Sequence, residues 1–472
     1  MTQPIEIRNP RTGKFDYVIL PPPPRLLVHQ CNRARRAQIH WKQIGLAARI
    51  DALQQWKQAI IYEREQLTQA LVTDTGRLST SVLEIDTFLS TINRWCRLAP
   101  EILQTLAKNT ATPFISLQQT SVPYPLVGVI SPWNFPLLLS TIDTIPALLA
   151  GCAVIVKPSE IAPRFVAPLM TALNTVPDLR DVLSFLEGAG ETGATLIENV
   201  DLICFTGSVA TGRKVAEAAA KRFIPAFLEL GGKDPAIVLE SADIELATSA
   251  ILWGAVVNSG QSCLSIERIY VAESIFEEFY HQLVVKAHSL ELAHPQLDSG
   301  EIGPIIAEKQ AAIIHDHLLD AVEKGALIHC GGKVEEIDGG WWCRPTVITQ
   351  VNHSMKIMTE ETFGPIMPVM AFPTIEEGIY LANDSIYGLS AAVFAETEAE
   401  ALTVAEHIDA GAISINDAAL TALIHEGEKN SFKFSGMGGS RMGPASIKRF
   451  LRKKAYLIKT DINRDPWWFN NQ

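Results

Sequence analysis

Short apolar segments alternate with longer segments of mixed character between residues 126 and 230, and again between residues 233 and 415. Such alternation of strands with helices is typical of a parallel sheet that helices cover on both faces. We therefore predict an α/β fold with two such units. Ligands of these sheets bind outside the carboxyl ends of the strands, where most polar motifs of this chain lie. In the first unit, strands are predicted at 127–130, 153–156, 182–186, 202–205 and 225–230, and helices after Pro136, after Pro163 and from Ser208.

The segments outside these units have other patterns. Apolar residues at three- and four-residue steps predict helices from about residue 27 to residue 106, with a break at Asp74-Thr75-Gly76. Residues 112–125 alternate between apolar and polar, which predicts an exposed hairpin or an edge strand; a solvated surface ribbon is the alternative. The basic segment 447–459 predicts a helix followed by a strand, in preference to a helix bound to a membrane surface.

Composition narrows the class of protein. The chain has 472 residues, of which 47% are hydrophobic, and a formal net charge of −12 without a basic patch, which argues against nucleic acid as a partner. Its seven cysteines are scattered and contain no Cys-x-x-Cys pair, so neither a disulfide framework nor a metal site is expected. We expect a cytoplasmic protein without a signal peptide. The longest apolar run, 145–156, is too short to span a membrane.

Three polar groups follow apolar segments and form a candidate catalytic set. Cys263 ends the polar loop 258–263, Glu229 ends an apolar strand before a glycine pair, and Asn134 follows another apolar strand. A thiol, a carboxylate and an amide supply a nucleophile, a base and an oxyanion donor. A solvated strand-end carboxylate and a turn-forming asparagine are the alternatives for Glu229 and Asn134. The cysteines at 152 and 204 lie inside apolar segments and are assigned to the core.

Two further motifs lie where a strand gives way to a helix. In 205–212, Ser208 can cap the helix while its free N–H groups face a phosphate, Gly207 permits the turn, and Gly212 permits close packing. The segment 188–193, which includes Gly190, is a similar turn. After the strand 153–156, Lys157-Pro158-Ser159-Glu160 places a cation and a carboxylate where a nucleotide sugar could bind. An exposed ion pair is the alternative for Lys157 and Glu160.

These motifs, with Asn9-Pro10-Arg11-Thr12-Gly13 near the start and Ser435-Gly436-Met437-Gly438 near the end, resemble the aldehyde dehydrogenase superfamily in order and spacing. The resemblance implies two doubly wound α/β domains, a Rossmann-like cofactor domain and a catalytic domain, plus a protruding β element for oligomerisation. It places the cofactor domain at 1–111 and 126–230 and the catalytic domain at 231–425. It further places the oligomerisation element at 112–125 and 452–464, and a return to the cofactor domain at 426–451. A homodimer or homotetramer is expected.

The resemblance also assigns cofactor-binding residues. Lys157 and Glu160 would contact the adenosine ribose, Glu361 the nicotinamide ribose, and Phe363 the nicotinamide ring. Since a carboxylate repels a 2′-phosphate, Glu160 favours NAD, with NADP possible. For Phe363, core packing is the alternative. The full predicted cofactor set is Lys157, Ser159, Glu160, Gly190, Gly207, Ser208, Gly212, Leu230, Gly231, Glu361 and Phe363.

The implied reaction is oxidation of an aldehyde to a carboxylic acid. Cys263 attacks the carbonyl, Asn134 and the Cys263 N–H hold the oxyanion, hydride passes to the nicotinamide, and Glu229 activates the water that cleaves the thioester. The residues around these motifs predict a medium or long aliphatic, aromatic or isoprenoid aldehyde. No nearby arginine suggests a clamp for a second carboxylate. The predicted pocket comprises Phe135, Leu138, Leu139, Ile142, Ser262 and Leu264.

Three alternatives remain at this point: a dehydrogenase that acylates coenzyme A, a semialdehyde dehydrogenase, and a thiol esterase without redox chemistry. The sequence also departs from the family pattern. Asp143 stands where many members have the lysine of a proton relay. Residues 428–431 replace a Pro-Phe-Gly-Gly segment, and Gly439-Ser440 replaces an Arg-Glu pair, with Arg441 displaced.

Overall fold

A computed structural model describes residues 3–104, the backbone of residues 107–109, and residues 115–460. The predicted strands and helices of the first unit are present within a few residues of their expected limits. The helices are α1 (Pro24–Gln43), α2 (Gly45–Tyr62), α3 (Arg64–Thr75), α4 (Leu78–Ile102), α5 (Pro136–Thr141), α6 (Thr144–Ala150), α7 (Val166–Asn174), α8 (Pro177–Arg180), α9 (Gly190–Ile197) and α10 (Val209–Arg222). The strands are β1 (Ile5–Arg8), β2 (Phe15–Ile19), β3 (Ala107–Asn109), β4 (Ile115–Pro123), β5 (Leu126–Ile130), β6 (Ala153–Lys157), β7 (Leu183–Phe185), β8 (Leu202–Thr206) and β9 (Ala226–Glu229).

The second unit repeats the alternation with more strands. The strands that follow β9 along the chain, of which β21 belongs to the first sheet and β22 to a separate small sheet, are β10 (Asp234–Val238), β11 (Ile266–Ala272), β12 (Leu327–Cys330), β13 (Val334–Ile337), β14 (Gly340–Cys343), β15 (Thr346–Thr349), β16 (Ile366–Phe372), β17 (Tyr387–Gly388), β18 (Ser390–Phe394), β19 (Ala412–Ile415), β20 (Phe432–Lys433), β21 (Gly436–Met437) and β22 (Leu451–Lys459). The helices are α11 (Ile244–Val256), α12 (Phe276–His288), α13 (Glu308–Glu323), α14 (Lys356–Thr359), α15 (Ile375–Asn383), α16 (Glu398–Ala405), α17 (Leu420–Leu423) and α18 (Ala445–Lys448).

The first sheet is doubly wound, as predicted. Its order is β21-β9-β8-β5-β6-β7, and all neighbours pair in parallel except β21, which pairs antiparallel with β9. The chain starts at β5, proceeds to β7 on one side, and then crosses to β8 on the other. The crevice at the carboxyl ends of β5 and β8 is therefore the topological switch point, where such sheets bind ligands. Asn134 follows β5 and Gly207 follows β8, so both belong to this crevice.

The second sheet has the order β12-β15-β16-β11-β10-β18-β19, with parallel pairing except between β12 and β15. Side chains alternate between its two faces, as the pleat of a strand requires. Ile237 packs into the apolar core on one face, while Ala236 and Val238 pack into the core on the other. Burying an aliphatic side chain of this size stabilises the fold by about 1.5–3 kcal/mol. Two doubly wound α/β units are thus confirmed.

The helical layer before the first sheet also agrees with its pattern. Helix α3 ends at Thr75, and Gly76 adopts a left-handed φ of 73° that terminates it, at the predicted break. A side chain at Gly76 would also collide with Pro304, since a Cβ would lie 2.3 Å from its Cγ. No described helix is long and apolar enough to cross a membrane.

The segment 112–125 differs from one of its two predicted forms. β4 is the middle strand of a three-stranded sheet, between β22 and β3, so the edge-strand alternative is wrong and the antiparallel hairpin with β3 is present. An alternating pattern cannot distinguish these cases, because the second partner strand lies more than 300 residues away in sequence. Residues 112–114 and 461–464 of the predicted oligomerisation element lie outside the described residues. The predicted domain boundaries stay a prediction.

Candidate active site

The loop that carries Cys263 is held by its own buried side chains. Asn258 and Ser259 have left-handed backbones, with φ of 61° and 56°, a conformation that costs about 1–3 kcal/mol per residue unless the surroundings enforce it. Asn258 Nδ2 donates to the Gln261 carbonyl at 2.9 Å, and Ser259 Oγ donates to the Gly303 carbonyl at 3.0 Å. Gln261 is fully buried, and its Nε2 donates to the Asn258 and Pro304 carbonyls. These bonds fix the backbone immediately before Cys263.

The loop that carries Asn134 is bonded directly to the nucleophile loop. Asn134 Nδ2 donates to the Gln261 carbonyl at 3.0 Å, and Asn258 Nδ2 donates to the Asn134 carbonyl at 3.1 Å. Asn134 is 3% exposed. Because an amide carries two N–H groups, one bond to Gln261 orients the side chain and leaves the second N–H for an oxyanion. The turn-forming alternative for Asn134 does not account for these bonds to a distant loop.

The environment of Cys263 does not favour its thiolate. Burial, followed by the carboxyl groups of Glu361 and Asp234, raises the pKa of the Cys263 thiol to about 12, against smaller opposing effects of Lys429 and Arg441. The surroundings of Cys263 therefore favour the neutral thiol in this arrangement. At neutral pH the sulfur is protonated, so attack on a carbonyl requires a base to accept its proton.

Glu229 lies at the end of β9 and is half-buried. Its Oε2 accepts a hydrogen bond of 2.7 Å from Ser431 Oγ. The pairing of β9 with β21, in which Glu229 lies opposite Gly436, holds the segment containing Ser431 beside this carboxylate. Ser431 belongs to the stretch that departs from the family pattern. Its contact with Glu229 spans 202 residues, so no local sequence pattern indicates it.

The glycine pair after Glu229 allows two close approaches. A Cβ at Gly231 would lie 2.5 Å from Glu361 Oε2, and one at Gly232 would lie 2.5 Å from the Cys263 carbonyl oxygen. Neither glycine has a positive φ, so the reason for glycine at these two positions is space. The Gly232 N–H donates to Glu361 Oε1 at 3.1 Å. Burial is the main cause that raises the pKa of Glu361 to about 8.

The loop of Glu361 and Phe363 is held by a buried ion pair that the sequence did not reveal. Glu267 accepts hydrogen bonds of 2.7 Å from the N–H groups of Thr362 and Phe363, and a third of 2.7 Å from Lys233 Nζ. Phe363 has a left-handed φ of 53°, and its ring meets the edge of Trp133 at 5.5 Å between centroids. Glu267 lies inside an apolar strand, and only its charge at a buried position could have indicated a special contact.

The predicted adenosine-binding residues form an ion pair at the end of β6. Lys157 Nζ lies 2.9 Å from Glu160 Oε2, with the lysine side chain 6% exposed and the glutamate 37% exposed. The exposed-pair alternative thus applies to the carboxylate but not to the lysine. Ser159 Oγ accepts from the Ile161 N–H at 3.2 Å and stabilises the turn. Gly190 opens α9, and no atom lies within 4 Å of where its Cβ would be, so nothing in its packing requires glycine.

The turn after β8 agrees with most of its prediction. Ser208 Oγ accepts from the Thr211 N–H and caps α10, as expected. A Cβ at Gly212 would lie 2.5 Å from the Leu230 side chain, which confirms close packing. Gly207 is needed for a different reason than predicted: its φ is not left-handed, but a Cβ would lie 2.6 Å from the Phe205 ring. The remaining N–H groups at this helix start suit a pyrophosphate.

A narrow cleft of about 130 Å³ brings Cys263 and Asn134 together with part of the predicted cofactor set. Its lining does not include Glu229, nor the cofactor candidates Lys157, Ser159, Glu160, Gly190 and Gly212. Leu139 is the predicted pocket residue that lines it. Phe135, Leu138, Ile142, Ser262 and Leu264 are half-buried and are not part of this lining. Among the described residues, no group of three or more His, Cys, Asp or Glu side chains is arranged to hold a metal ion. The lining is Pro132, Trp133, Asn134, Leu139, Thr206, Gly207, Ser208, Leu230, Gly231, Cys263, Gln310, Glu361 and Phe363.

Comparison with known proteins decides the family. The model of the aldehyde dehydrogenase family matches residues 3–456. The chain belongs to the aldehyde dehydrogenase family. It is 36% identical to 4,4'-diapolycopene aldehyde oxidase of Methylomonas sp., over 94% of this chain and 84% of that protein. It is 33% identical to a Mycolicibacterium smegmatis protein named as a succinate-semialdehyde dehydrogenase [NADP(+)], over 92% of this chain and 84% of that protein.

A solved structure supports the same assignment. PutA from Anabaena variabilis superposes with a TM-score of 0.98 and 77% identity, covering 99% of this chain and 100% of that chain. The resemblance drawn from the motifs is therefore confirmed. The protein is an NAD(P)-dependent aldehyde dehydrogenase.

Asp143, which replaces the lysine of many aldehyde dehydrogenases, lies in a buried cluster of charges. Its carboxylate accepts from Arg441 at 2.9 Å and from Arg449, and Arg441 also donates to Thr206 Oγ1. Although burial alone would raise the pKa of Asp143, the two guanidinium groups lower it below its ordinary value. The displaced Arg441 is thus the charge partner of Asp143. Because neither group exchanges a proton near neutral pH, this pair cannot act as the lysine relay would.

Proposed function

We propose that this dehydrogenase oxidises an apolar aldehyde to its carboxylic acid with NAD, through a thioester on Cys263 that Glu229-activated water hydrolyses. One observation carries the proposal. The cleft that contains the Cys263 thiol and the Asn134 amide is also lined by the turn Gly207-Ser208 and by Glu361 and Phe363. A nucleophile, an oxyanion donor and a dinucleotide-binding turn therefore share one space.

In the first step, Cys263 Sγ bonds to the aldehyde carbon while its proton passes to a base. Glu229, the carboxylate that follows β9, is assigned this role. The carbonyl oxygen becomes an oxyanion, which accepts hydrogen bonds from the free Asn134 N–H and from the Cys263 backbone N–H. Because the Asn134 and Cys263 loops are bonded to each other, both donors are in place before the charge develops.

The residues of the crevice fit a dinucleotide. Lys157 and Glu160 would bind the adenosine ribose, the capped start of α10 the pyrophosphate, and Glu361 the nicotinamide ribose. When bound, NAD accepts the hydride that leaves the thiohemiacetal carbon. Glu160 is partly exposed at the end of β6, where its charge opposes a 2′-phosphate, so we expect NAD to be preferred. NADP stays the alternative, because Lys157 could pair with the phosphate.

Glu229 first releases the thiol proton to solvent; in the last step it takes a proton from water, whose oxygen attacks the thioester carbon. The C–S bond breaks, the acid leaves, and the sulfur regains a proton. Ser431 Oγ, bonded to Glu229 Oε2, orients the carboxylate and leaves Oε1 available to the water. In this route water accepts the acyl group, whereas in the alternative coenzyme A accepts it.

The proposed substrate class rests on the lining of the cleft. Among the described residues that line it, Leu139, Trp133, Phe363 and Leu230 are apolar and none is Lys or Arg. Arg77 donates to the Asn134 carbonyl and Arg441 pairs with Asp143, and neither side chain lines the cleft. The lining therefore offers a semialdehyde acid no cation to pair with. The relative named for diapolycopene aldehyde is consistent with an apolar, isoprenoid substrate, and the relative named for succinate semialdehyde defines the competing class.

We also propose that the sheet of β22, β4 and β3 joins subunits into a homodimer or homotetramer. Tyr456, Leu457 and Ile458 of β22 are 44%, 75% and 45% exposed, which is a costly row of apolar side chains on a free surface. Leu457→Glu should weaken the oligomer in sedimentation velocity. Val285→Glu, at an exposed position of α12, is the matched control.

The function is tested by following NADH formation with purified protein and a panel of aliphatic, aromatic, isoprenoid and carboxylated aldehydes. NAD and NADP are compared, each with and without coenzyme A. We expect turnover of apolar aldehydes, a preference for NAD, and no requirement for coenzyme A. Turnover that begins only on addition of coenzyme A would replace hydrolysis by acyl transfer. A strong preference for succinate semialdehyde would overturn the substrate class.

A further inference from the structure

Two oppositely charged side chains are buried beneath the loop that carries Asn134. Arg77 precedes α4 and is 5% exposed, and Glu84 lies in the second turn of α4 and is 2% exposed. Burial lowers the pKa of Arg77 to about 9 and raises that of Glu84 to about 7, and each group partly offsets the cost of the other. Burying a charged side chain costs considerable free energy. The contacts of Arg77 and Glu84 therefore indicate the role of this pair.

Arg77 contacts the oxyanion loop through a single side-chain hydrogen bond. Its Nη2 donates to the Asn134 carbonyl at 3.0 Å, and its guanidinium carbon lies 5.9 Å from the centre of the Phe135 ring. Nε and Nη1 have no protein partner among the described residues. The guanidinium group therefore directs its one protein hydrogen bond at the backbone of the oxyanion donor.

Glu84 contacts the same loop four residues further on. Its Oε1 accepts a hydrogen bond of 2.7 Å from the Leu138 N–H in the first turn of α5. Arg77 and Glu84 thus bond to the backbone on either side of Phe135-Pro136-Leu137. Helix α4 belongs to the helical layer, so these two bonds connect that layer to the loop that ends at Asn134.

The Asn134 carbonyl is the point where two restraints meet. It accepts one bond from Arg77 and a second from Asn258, in the nucleophile loop. Asn258 fixes the distance to Cys263, and Arg77 fixes the rotation of the peptide against α4. A donor that has moved by about 1 Å can cost about 100-fold in rate, so a restraint on this peptide bears directly on the reaction.

We propose that Arg77 and Glu84 are positioning residues for the oxyanion donor, which hold the Asn134 peptide so that its free side-chain N–H points at the developing oxyanion. This inference rests on the proposed function, because it assigns Arg77 and Glu84 a role that acts through Asn134. Neither residue touches the substrate in this arrangement. Their removal should therefore slow formation of the thioester, and its hydrolysis as well, because water attack on the thioester carbon develops an oxyanion at the same donors.

The test is a double-mutant cycle on the acylation step, followed as the pre-steady-state burst of NADH with one apolar aldehyde. Arg77→Met should slow the burst about 10-fold in the wild-type background, and Arg77→Lys, which keeps one donor, about 3-fold. In the Asn134→Ala background, Arg77→Met should slow the burst less than about 2-fold further, since the group it positions has gone. Glu84→Ala should slow the burst less than Arg77→Met, and Glu84→Gln, which keeps the acceptor, less again.

Stability supplies the control that separates positioning from simple loss of structure. Arg77→Met should lower the melting temperature by the same amount in both backgrounds. It should slow the burst strongly only in the wild-type background. If Arg77→Met does not fold, Arg77→Lys and Glu84→Ala replace it in the same double-mutant cycle. Burst effects of Arg77→Met and Asn134→Ala that simply multiply would overturn the positioning role and leave the oxyanion assignment intact. An unchanged burst in Asn134→Ala itself would overturn both.

Discussion

The two sides of the catalytic cleft are held in different ways. On one side, the loops of Asn134 and Cys263 are joined through Asn258 and Gln261, and the side chains of Asn134, Asn258 and Gln261 are buried. On the other side, Glu229 is half-buried and its carboxylate accepts one side-chain hydrogen bond, from Ser431. The first side is a buried network of polar groups, and the second is a partly exposed side chain with one hydrogen bond.

This difference matches what each side must do. An oxyanion donor acts on a charge that develops at one point, so its value depends on being fixed in advance. A base that accepts a proton from the thiol and later from water must serve two positions and must remain accessible to solvent. We therefore expect substitutions on the Asn134 side to be costly and substitutions around Glu229, other than of Glu229 itself, to be mild.

The largest effect should follow removal of the nucleophile. Cys263→Ala should lower dehydrogenase turnover by about 10⁴-fold or more, since no other group on either side can form the thioester. Binding of NAD, measured by fluorescence, should be unchanged. Cys330→Ala, at another half-buried thiol, is the matched control and should retain full turnover. Substantial turnover by Cys263→Ala would remove the nucleophile assignment.

A somewhat smaller effect is expected from the fixed side. Asn134→Ala should slow the NADH burst by about 10²–10³-fold, the usual loss for an oxyanion donor, and should also slow thioester hydrolysis, which develops an oxyanion on the same carbonyl oxygen. Rapid mixing with stopped-flow absorbance measures the two steps separately. A burst as fast as that of the wild type would remove Asn134 as the oxyanion donor.

The base side should tolerate loss of its hydrogen bond. Ser431→Ala removes the hydroxyl that donates to Glu229 and should slow thioester hydrolysis about 3- to 10-fold, since a bond to a charged group is worth about 1.5–3 kcal/mol and part of it is replaced by water. Ser431→Thr keeps the hydroxyl and should restore most of the rate. A loss as large as that of Asn134→Ala would contradict the contrast between the two sides.

The last effect concerns stability and its dependence on pH. Because the pKa of Glu361 is raised to about 8 in the folded state, the folded protein holds a proton that the unfolded chain has lost between about pH 4.5 and 8. Its contribution is fully present below the unfolded pKa and is lost as pH rises towards 8, with a slope of at most about 1.4 kcal/mol per pH unit. Glu361→Gln should reduce that slope in chemical unfolding at pH 6, 7 and 8. An identical slope in the variant would show that Glu361 is not the group responsible.

The sequence was sufficient for the fold because its signals are local. Period and turn residues located the strands of the first sheet, and the glycine at 76 and the serine at 208 marked helix ends that the structure contains. The helical layer starts at Pro24 and not near residue 27, because proline is well suited to the first turn of a helix. The local pattern gives β4 no partner, since β22 is distant in sequence, whereas the resemblance groups 112–125 and 452–464 in one element.

The sequence predicted the motif residues of the candidate site. It did not indicate the side chains that hold those residues in place. Arg77, Glu84, Lys233, Glu267 and Ser431 act across separations of 34 to 202 residues, and nothing in a local pattern marks such contacts. Charged residues inside otherwise apolar segments are the one available signal, and it applies to Glu84 and Glu267. The sequence also gave Asp143 no partner, although Arg441 and Arg449 lie within 20 residues of the altered segment at 428–431.

The central claim is that Cys263 forms a thioester which Glu229 helps to hydrolyse, and the acyl-enzyme itself tests it most directly. Glu229→Gln is mixed with NAD and an apolar aldehyde, quenched in acid, and analysed by intact-protein and peptide mass spectrometry. We predict one acyl group per chain, on the peptide that contains Cys263, together with one equivalent of NADH, formed more slowly than in the wild type because the variant lacks the thiol base, and still slower later turnover. Unchanged steady-state turnover with no adduct on that peptide would contradict the account.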